Sequence, residues 1–197
     1  MNNNNNSPTI LAIDSSTSSC SVSVWKNGAI SAYYEETVAA MQSKNLILMV
    51  EEALNKSGTE YKELSAVACT IGPGSFTGIR IGLASARGIG LAANIPVLGF
   101  SSLEVLAFET KQKRLDTTIL AMLNAGKGEI IYQNFNDNME ATCEATLKTA
   151  TGIEILTPPR ADFLAQLAAT HPERAVAPLP FYVRPPDAKL PQNVNFA

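Results

Sequence analysis

Apolar and polar positions change period several times along the chain, and each change marks an element. Residues 9–13 are a short apolar run ending on Asp14, the pattern of a buried strand. After a polar turn over 15–19, Cys20, Val22 and Val24 alternate with Ser21, Ser23 and Trp25, which predicts a strand with one buried face. Asn27-Gly28 tolerates positive φ at both positions and predicts a hairpin. Ile30, Ala32 and Tyr34 continue the alternation into a third strand. The period then lengthens. Leu46, Met49, Val50, Ala53 and Leu54 fall on one face of a helix over 42–56, with Gly58 in place to stop it. Residues 64–71 are nearly continuously apolar, as in a central strand buried on both faces.

Gly72-Pro73-Gly74-Ser75-Phe76-Thr77-Gly78 follows that strand and opens a helix to about Asn94. Residues 96–100 read as a strand. Ser101-Ser102-Leu103-Glu104 has capping-box spacing and starts a helix through Phe108. The predicted order is β-β-β-α-β-α-β-α. A polar stretch over 111–116 is the expected boundary between an N-terminal lobe, 9–110, and a C-terminal lobe, 111–197. Strands over 117–123 and 129–135, a turn at 136–138 and a helix over 161–169 make up the second lobe. Pro172, Pro178, Pro180, Pro185, Pro186 and Pro191 keep the remainder extended or irregular. The second lobe starts like the first but is much shorter, a reduced copy.

Composition narrows the chemistry. The 197 residues are 46% apolar and 17% charged, enough to build a core without disulfides or metals. The single histidine, His171, precedes Pro172 and reads as a surface residue; it excludes any site in this chain that needs two. Net charge is −3 with no basic run, a poor match to a chain that grips RNA alone. Cys20, Cys69 and Cys143 are far apart and odd in number, as in a cytosolic protein with reduced thiols. Residues 1–8 read as a disordered tail rather than a targeting segment. The apolar stretch over 79–108 is broken by Arg80, Arg87, Pro96 and Glu104, which excludes a membrane span.

Three features carry candidate chemistry. The glycine loop lies between a buried strand and a helix, where free amides and the helix dipole favour an anion, and Gly72 and Gly74 admit close backbone approach. Its spacing is neither the dinucleotide fingerprint nor a P-loop. A phosphate cradle and a tight turn capped by Ser75 both remain open. Asp14, Ser15, Ser16 and Thr17 at the end of the first strand suit magnesium and phosphate, or a hydrogen-bonded Asx turn. If both are strand ends of one sheet, they face one cleft. The third feature is a ridge. Gly78, Gly82, Ala86 and Gly90 recur every four residues and form a narrow stripe on the helix. Such glycines need a close neighbour, either this chain's own sheet or a helix of a second chain. Arg80 and Arg87 lie on the same helix, either solvated or paired across an interface. Tyr182 and Arg184, ahead of Pro185-Pro186-Asp187, suit a docking strand or a C-terminal clamp.

Together these residues resemble the TsaB (YeaZ) family, the short bacterial relatives of TsaD. The resemblance rests on the opening Ile10-Leu11-Ala12-Ile13-Asp14-Ser15-Ser16-Thr17 and on the specific stretch from Gly72 to Ile79-Arg80-Ile81-Gly82. Pro96-Val97-Leu98-Gly99 with the following Ser101 to Glu104, and Tyr182-Val183-Arg184-Pro185-Pro186-Asp187-Ala188, match further blocks. The resemblance implies an α/β, actin/Hsp70-like (ASKHA, RNase H-like) fold of two lobes with the second reduced. It implies a non-catalytic cytoplasmic subunit that binds TsaD, with TsaE joining, for threonylcarbamoylation of the adenosine beside the anticodon. Substrate tRNA is reached only through the complex, where ATP and magnesium act. No catalytic residue, metal ligand or cofactor is then expected in this chain. The ridge Gly78, Arg80, Gly82, Ala86 and Gly90 is expected to face TsaD, or a second copy when the chain is alone. Departures occur at Gln42-Ser43-Lys44, where relatives often carry His-Ser-Glu, and at Asn124-Ala125-Gly126-Lys127 in place of an Asp-Ala-Arg turn. The rival expectation is an ATP-dependent kinase or ATPase of the same fold using Asp14 and the glycine loop. A peptidase reading finds neither a zinc pair nor a Ser/His/Asp set.

Overall fold

The computed structural model describes residues 7–37, 42–113, 118–150 and 157–183. Most of the expected N-terminal tail and the stretch from Arg184 to Asp187 lie outside these residues. The elements are β1 (Ile10–Asp14), β2 (Cys20–Lys26), β3 (Ala29–Glu36), α1 (Gln42–Ser57), β4 (Ala66–Thr70), α2 (Phe76–Ala93) and β5 (Val97–Phe100). They continue with α3 (Ser102–Lys113), β6 (Thr118–Gly126), β7 (Glu129–Asn136), β8 (Thr146–Thr149) and α4 (Ala161–Thr170).

The first sheet has the order β3-β2-β1-β4-β5. Its first three strands form an antiparallel meander, and β4 and β5 run parallel to β1. The element order through α3, β-β-β-α-β-α-β-α, is the one the sequence predicts. Asn27 (φ 56) and Gly28 (φ 81) make the expected hairpin turn between β2 and β3.

Strand alternation sorts the side chains of β1 and β4 onto two faces. Leu11, Ile13, Val67 and Cys69 join the core under α1 and α2. Ile10, Ala12, Ala66 and Ala68 face the opposite core, with α3 and α4. The alanines let α4 come close, since it offers Ala161, Ala165 and Ala168 in return. The amide of Ala161 donates to Ser21 Oγ at 3.0 Å, tying the start of α4 to β2. The second sheet, β6-β7-β8, packs on α3 and completes the same core through Ile119, Ala121, Leu123, Ile131 and Phe135. Among the described residues after 117, this three-stranded sheet and α4 are the α-helical and β-sheet elements, and α4 packs on β1 and β2.

The structure differs from expectation in three places. The helix α3 runs on to Lys113, past the end expected at Phe108. Lys113 pairs with Glu109 at 2.5 Å one turn back, and Thr110 Oγ1 donates to the Leu106 carbonyl at 2.9 Å, so the polar stretch supports one more turn. Strand β8 was not expected. Its sequence Thr-Leu-Lys-Thr has a single apolar side chain, and pairing with β7, Leu147 opposite Ile131, makes it a strand. The turn between β6 and β7 is confined to Lys127 (φ 55) and Gly128 (φ 74), tighter than the expected turn over 124–128. No helix among the described residues is long and apolar enough to cross a membrane.

Candidate functional site

Parallel pairing of β1 with β4 sets Ile13 against Cys69, which brings the next residues, Asp14 and Thr70, side by side at the strand ends. Asp14 is fully buried. Its Oδ1 accepts from Thr70 Oγ1 at 2.6 Å, from Ser16 Oγ at 2.7 Å and from the Ser16 amide at 3.3 Å. Its Oδ2 has no partner among the described residues. Burial pushes the Asp14 carboxyl up to about 6, against the pull of the hydrogen bonds from Thr70 and Ser16.

The two candidate loops meet, as expected for strand ends of one sheet, but they meet each other directly. The Ser75 amide donates to the Ser16 carbonyl at 2.6 Å. Ser15 Oγ donates to the Gly78 carbonyl at 2.8 Å. Ser75 caps α2, its Oγ accepting from the Gly78 amide at 3.2 Å. Ser15 and Ser16 are buried, Thr17 and Gly74 are half-buried, and Ser75 is exposed. A Cβ on Gly74 would collide with the Ser16 carbonyl. At Gly72 (φ +108) a Cβ would collide with the Phe181 carbonyl and lie 2.9 Å from Ile79 Cδ1. Both glycines therefore accommodate close backbone approach, but the approaching backbone belongs to this chain.

The ridge on α2 is corrected in the same sense. Gly78, Gly82, Ala86 and Gly90 are all buried against the chain's own sheet. A Cβ on Gly82 would lie 2.5 Å from Ser15 Oγ, with Ser15 Cβ at 3.8 Å and Ile13 Cγ2 at 3.9 Å, all on β1 or its turn. At Gly90 the neighbours are Val97 and the Ile95 carbonyl. The ridge is not a surface open to a second protein.

Arg80 and Arg87 are exposed, and both hold the C-terminal segment. Arg80 lies 3.7 Å over the Phe76 ring, and its Nε donates to Tyr182 Oη at 3.2 Å. Arg87 donates to the Pro178 carbonyl. Tyr182 stacks on Phe76 with ring centroids 5.3 Å apart, so it acts as a clamp. His171 is partly exposed, 3.2 Å from Glu173 and edge-on to Phe108.

The surface that periodicity did not single out is the outer face of α2. Phe76, Ala84, Gly88 and Leu91 are exposed there, Leu91 at 85%, and a Cβ on Gly88 would meet nothing within 4 Å. The neighbouring α1 adds exposed Ile47 and Leu48. A signal was present. Once the ridge is turned inward, helical geometry puts these residues outward. Thr70 was also missed, although a lone hydroxyl ending an apolar strand beside the Asp14 strand is legible.

Little here supports bond-breaking chemistry. The buried thiols of Cys20 and Cys69 are pushed up to about 12 by burial and are poor nucleophiles. No group of three or more His, Cys, Asp or Glu among the described residues is arranged to hold a metal ion.

The sequence profile of the family described as TsaD, tRNA N6-adenosine threonylcarbamoyltransferase, matches residues 36–196. The chain is 37% identical over 126 residues to the tRNA threonylcarbamoyladenosine biosynthesis protein TsaB of Escherichia coli (strain K12), covering 64% of this chain and 54% of that protein. It is 30% identical over 135 residues to the TsaB of Bacillus subtilis (strain 168), covering 67% and 58%. It thus spans a little over half the length of these curated relatives. Among solved structures, YeaZ from Pseudomonas aeruginosa matches with a TM-score of 0.78 at 23% identity, over 89% of this chain and 100% of that one. That likeness concerns the fold.

Proposed function

The chain belongs to the TsaB/YeaZ family, and from that premise we propose that it is a non-catalytic subunit in the synthesis of threonylcarbamoyladenosine on tRNA. It pairs with TsaD, TsaE joins the pair, and tRNA is contacted only through the complex. ATP and magnesium act in the assembled complex in the cytoplasm.

The observation that carries this reading is the outer face of α2 and α1. Leu91, Phe76, Ile47 and Leu48 are large, apolar and exposed on adjacent helices, and the small Ala84 and Gly88 are exposed on α2 with them, beside Arg80 and Arg87. Exposed apolar residues grouped in this way mark a protein interface. The same face serves a second copy when TsaD is absent. The non-catalytic part is supported by the junction at Asp14. The Ser75 and Gly78 amides, two donors that a phosphate cradle would use, bond within the chain instead, which weighs against the kinase or ATPase reading.

The test is co-elution with TsaD in size-exclusion chromatography. Leu91→Asp is expected to lose the complex while melting at the wild-type temperature. An unchanged complex would put the interface elsewhere.

A further inference from the structure

We infer that residues 175–183 form a strap that opens as one unit, latched at two points by Arg87 and Arg80, while the sheet beneath it stays intact. The strap runs along the outer edge of β5 and then beside α2. Among the described residues four main-chain hydrogen bonds link it to the rest of the chain: at the hinge the Ala175 amide donates to the Pro172 carbonyl at 3.1 Å, and three more hold the strap to the sheet and the glycine loop. Gly99 and Val176 exchange two, at 3.0 and 2.9 Å, and the Phe181 amide donates to the Ile71 carbonyl at 2.8 Å. Between them Pro178 and Pro180 have no amide hydrogen to offer, and the Leu179 amide turns back to the Ala177 carbonyl at 2.7 Å.

Apolar burial holds its two ends, where Ala175, Tyr182 and Val183 pack against the cores, and adds little in between. Val176, Leu179 and Phe181 are 53%, 61% and 39% exposed. The side chains that grip it come from α2. Arg87 binds the Pro178 carbonyl, and Arg80 binds Tyr182 Oη. Seven residues of helix span about 10.5 Å. The four residues from Pro178 to Tyr182 span at most about 13 Å. The two arginines are thus placed to hold both ends of this stretch. Upstream, Arg174 is fixed separately by Glu104 at 2.6 Å, so the hinge lies just after it.

A segment with few buried contacts and exposed hydrogen bonds belongs to the low-stability end of a fold. Opening would bare the N–H and C=O of Gly99 on the β5 edge, and the Ile71 carbonyl beside Gly72. The Phe181 carbonyl also sits on Gly72, so the closed strap covers the glycine loop.

Native-state hydrogen exchange on the full chain tests this, read at the amides of Gly99, Val176 and Phe181 and, as a reference, Leu11 and Val67. The three strap-linked amides are expected to share one opening free energy and to exchange at least about tenfold faster than the reference pair. In the Arg80→Ala/Arg87→Ala variant all three are expected to speed up together by about tenfold, with Leu11 and Val67 unchanged. Three unrelated opening energies, or protection equal to that of Leu11, would overturn the inference. So would an effect of the variant confined to Phe181, or one that spreads to Leu11 and Val67.

Discussion

The carbonyl oxygen of Ser16 occupies the space into which a side chain at Gly74 would project. The same carbonyl accepts from the Ser75 amide at 2.6 Å, so the turn after β1 is sewn to the glycine loop at this point. Gly74→Ala forces the two backbones apart and breaks that bond. The expected loss is about 2–3 kcal/mol, read as a lower urea midpoint. Gly88→Ala is the control, because its Cβ would point into open space. Removing an exposed helical glycine should raise stability by about 0.5–1 kcal/mol. A neutral Gly74→Ala would mean the loops are not joined there.

Substitution on the buried ridge should damage the fold rather than a partner contact. Gly82→Leu would push into Ser15 and Ile13, and Ala86→Trp into a site with no exposure. Each is expected to cost about 3 kcal/mol or more, a large share of a typical total. Thermal melts and soluble yield decide the matter. Wild-type melting in Gly82→Leu would return the ridge to the surface.

Asp14 should make stability depend on pH. Its folded carboxyl, at about 6, holds a proton more tightly than the ordinary value of 3.8. The resulting stabilisation is complete below about pH 4 and is lost as pH rises through about 6. The difference corresponds to about 3 kcal/mol. An asparagine side chain cannot ionise, so Asp14→Asn removes this contribution. Melting temperatures of wild type and D14N, followed from about pH 4 to pH 7, should diverge in favour of the variant as pH rises. Parallel curves would show that Asp14 does not titrate in this window.

The isolated chain should give no heat of binding when titrated with Mg-ATP. The expectation follows from the junction, where the Ser75 amide and the Gly78 amide are already engaged by Ser16 and Ser75. Calorimetry that returned tight binding, together with phosphate release, would favour an ATPase of this fold over a subunit.

Local chemistry made much of the fold legible. The Asn27-Gly28 hairpin and the buried face of α1, from Leu46 to Leu54, follow from turn preference and a 3.6-residue period. The glycines at 72, 74 and 82 were legible as places of close approach, but not what approaches them. Gly72 meets Phe181 and Gly82 meets Ser15, contacts between residues 109 and 67 positions apart. A glycine records that space is needed, and the neighbour is decided by how the chain closes on itself. The strand β8 stayed hidden for a related reason, since its extended form comes from β7 rather than from its own residues.

Glu104 illustrates a second layer of the same kind. Its spacing from Ser101 suits a helix cap, and its carboxylate does accept from the Ser101 backbone. The carboxylate also meets Arg174 Nε at 2.6 Å, seventy residues away, while Arg174 binds the Met139 carbonyl. Burial raises the Glu104 carboxyl, and Arg174 and Ser101 pull it back, so the pair depends on both partners. Arg174→Met leaves a buried carboxylate without its cation and is expected to cost about 2–3 kcal/mol. Glu104→Gln in addition removes the unpaired charge. The double variant should therefore be more stable than the sum of the two singles predicts, by about 1 kcal/mol or more. Urea denaturation of the four proteins in the cycle measures that difference. Additive costs would mean that the two side chains contribute independently and that α3 and the segment before the strap are joined by other contacts.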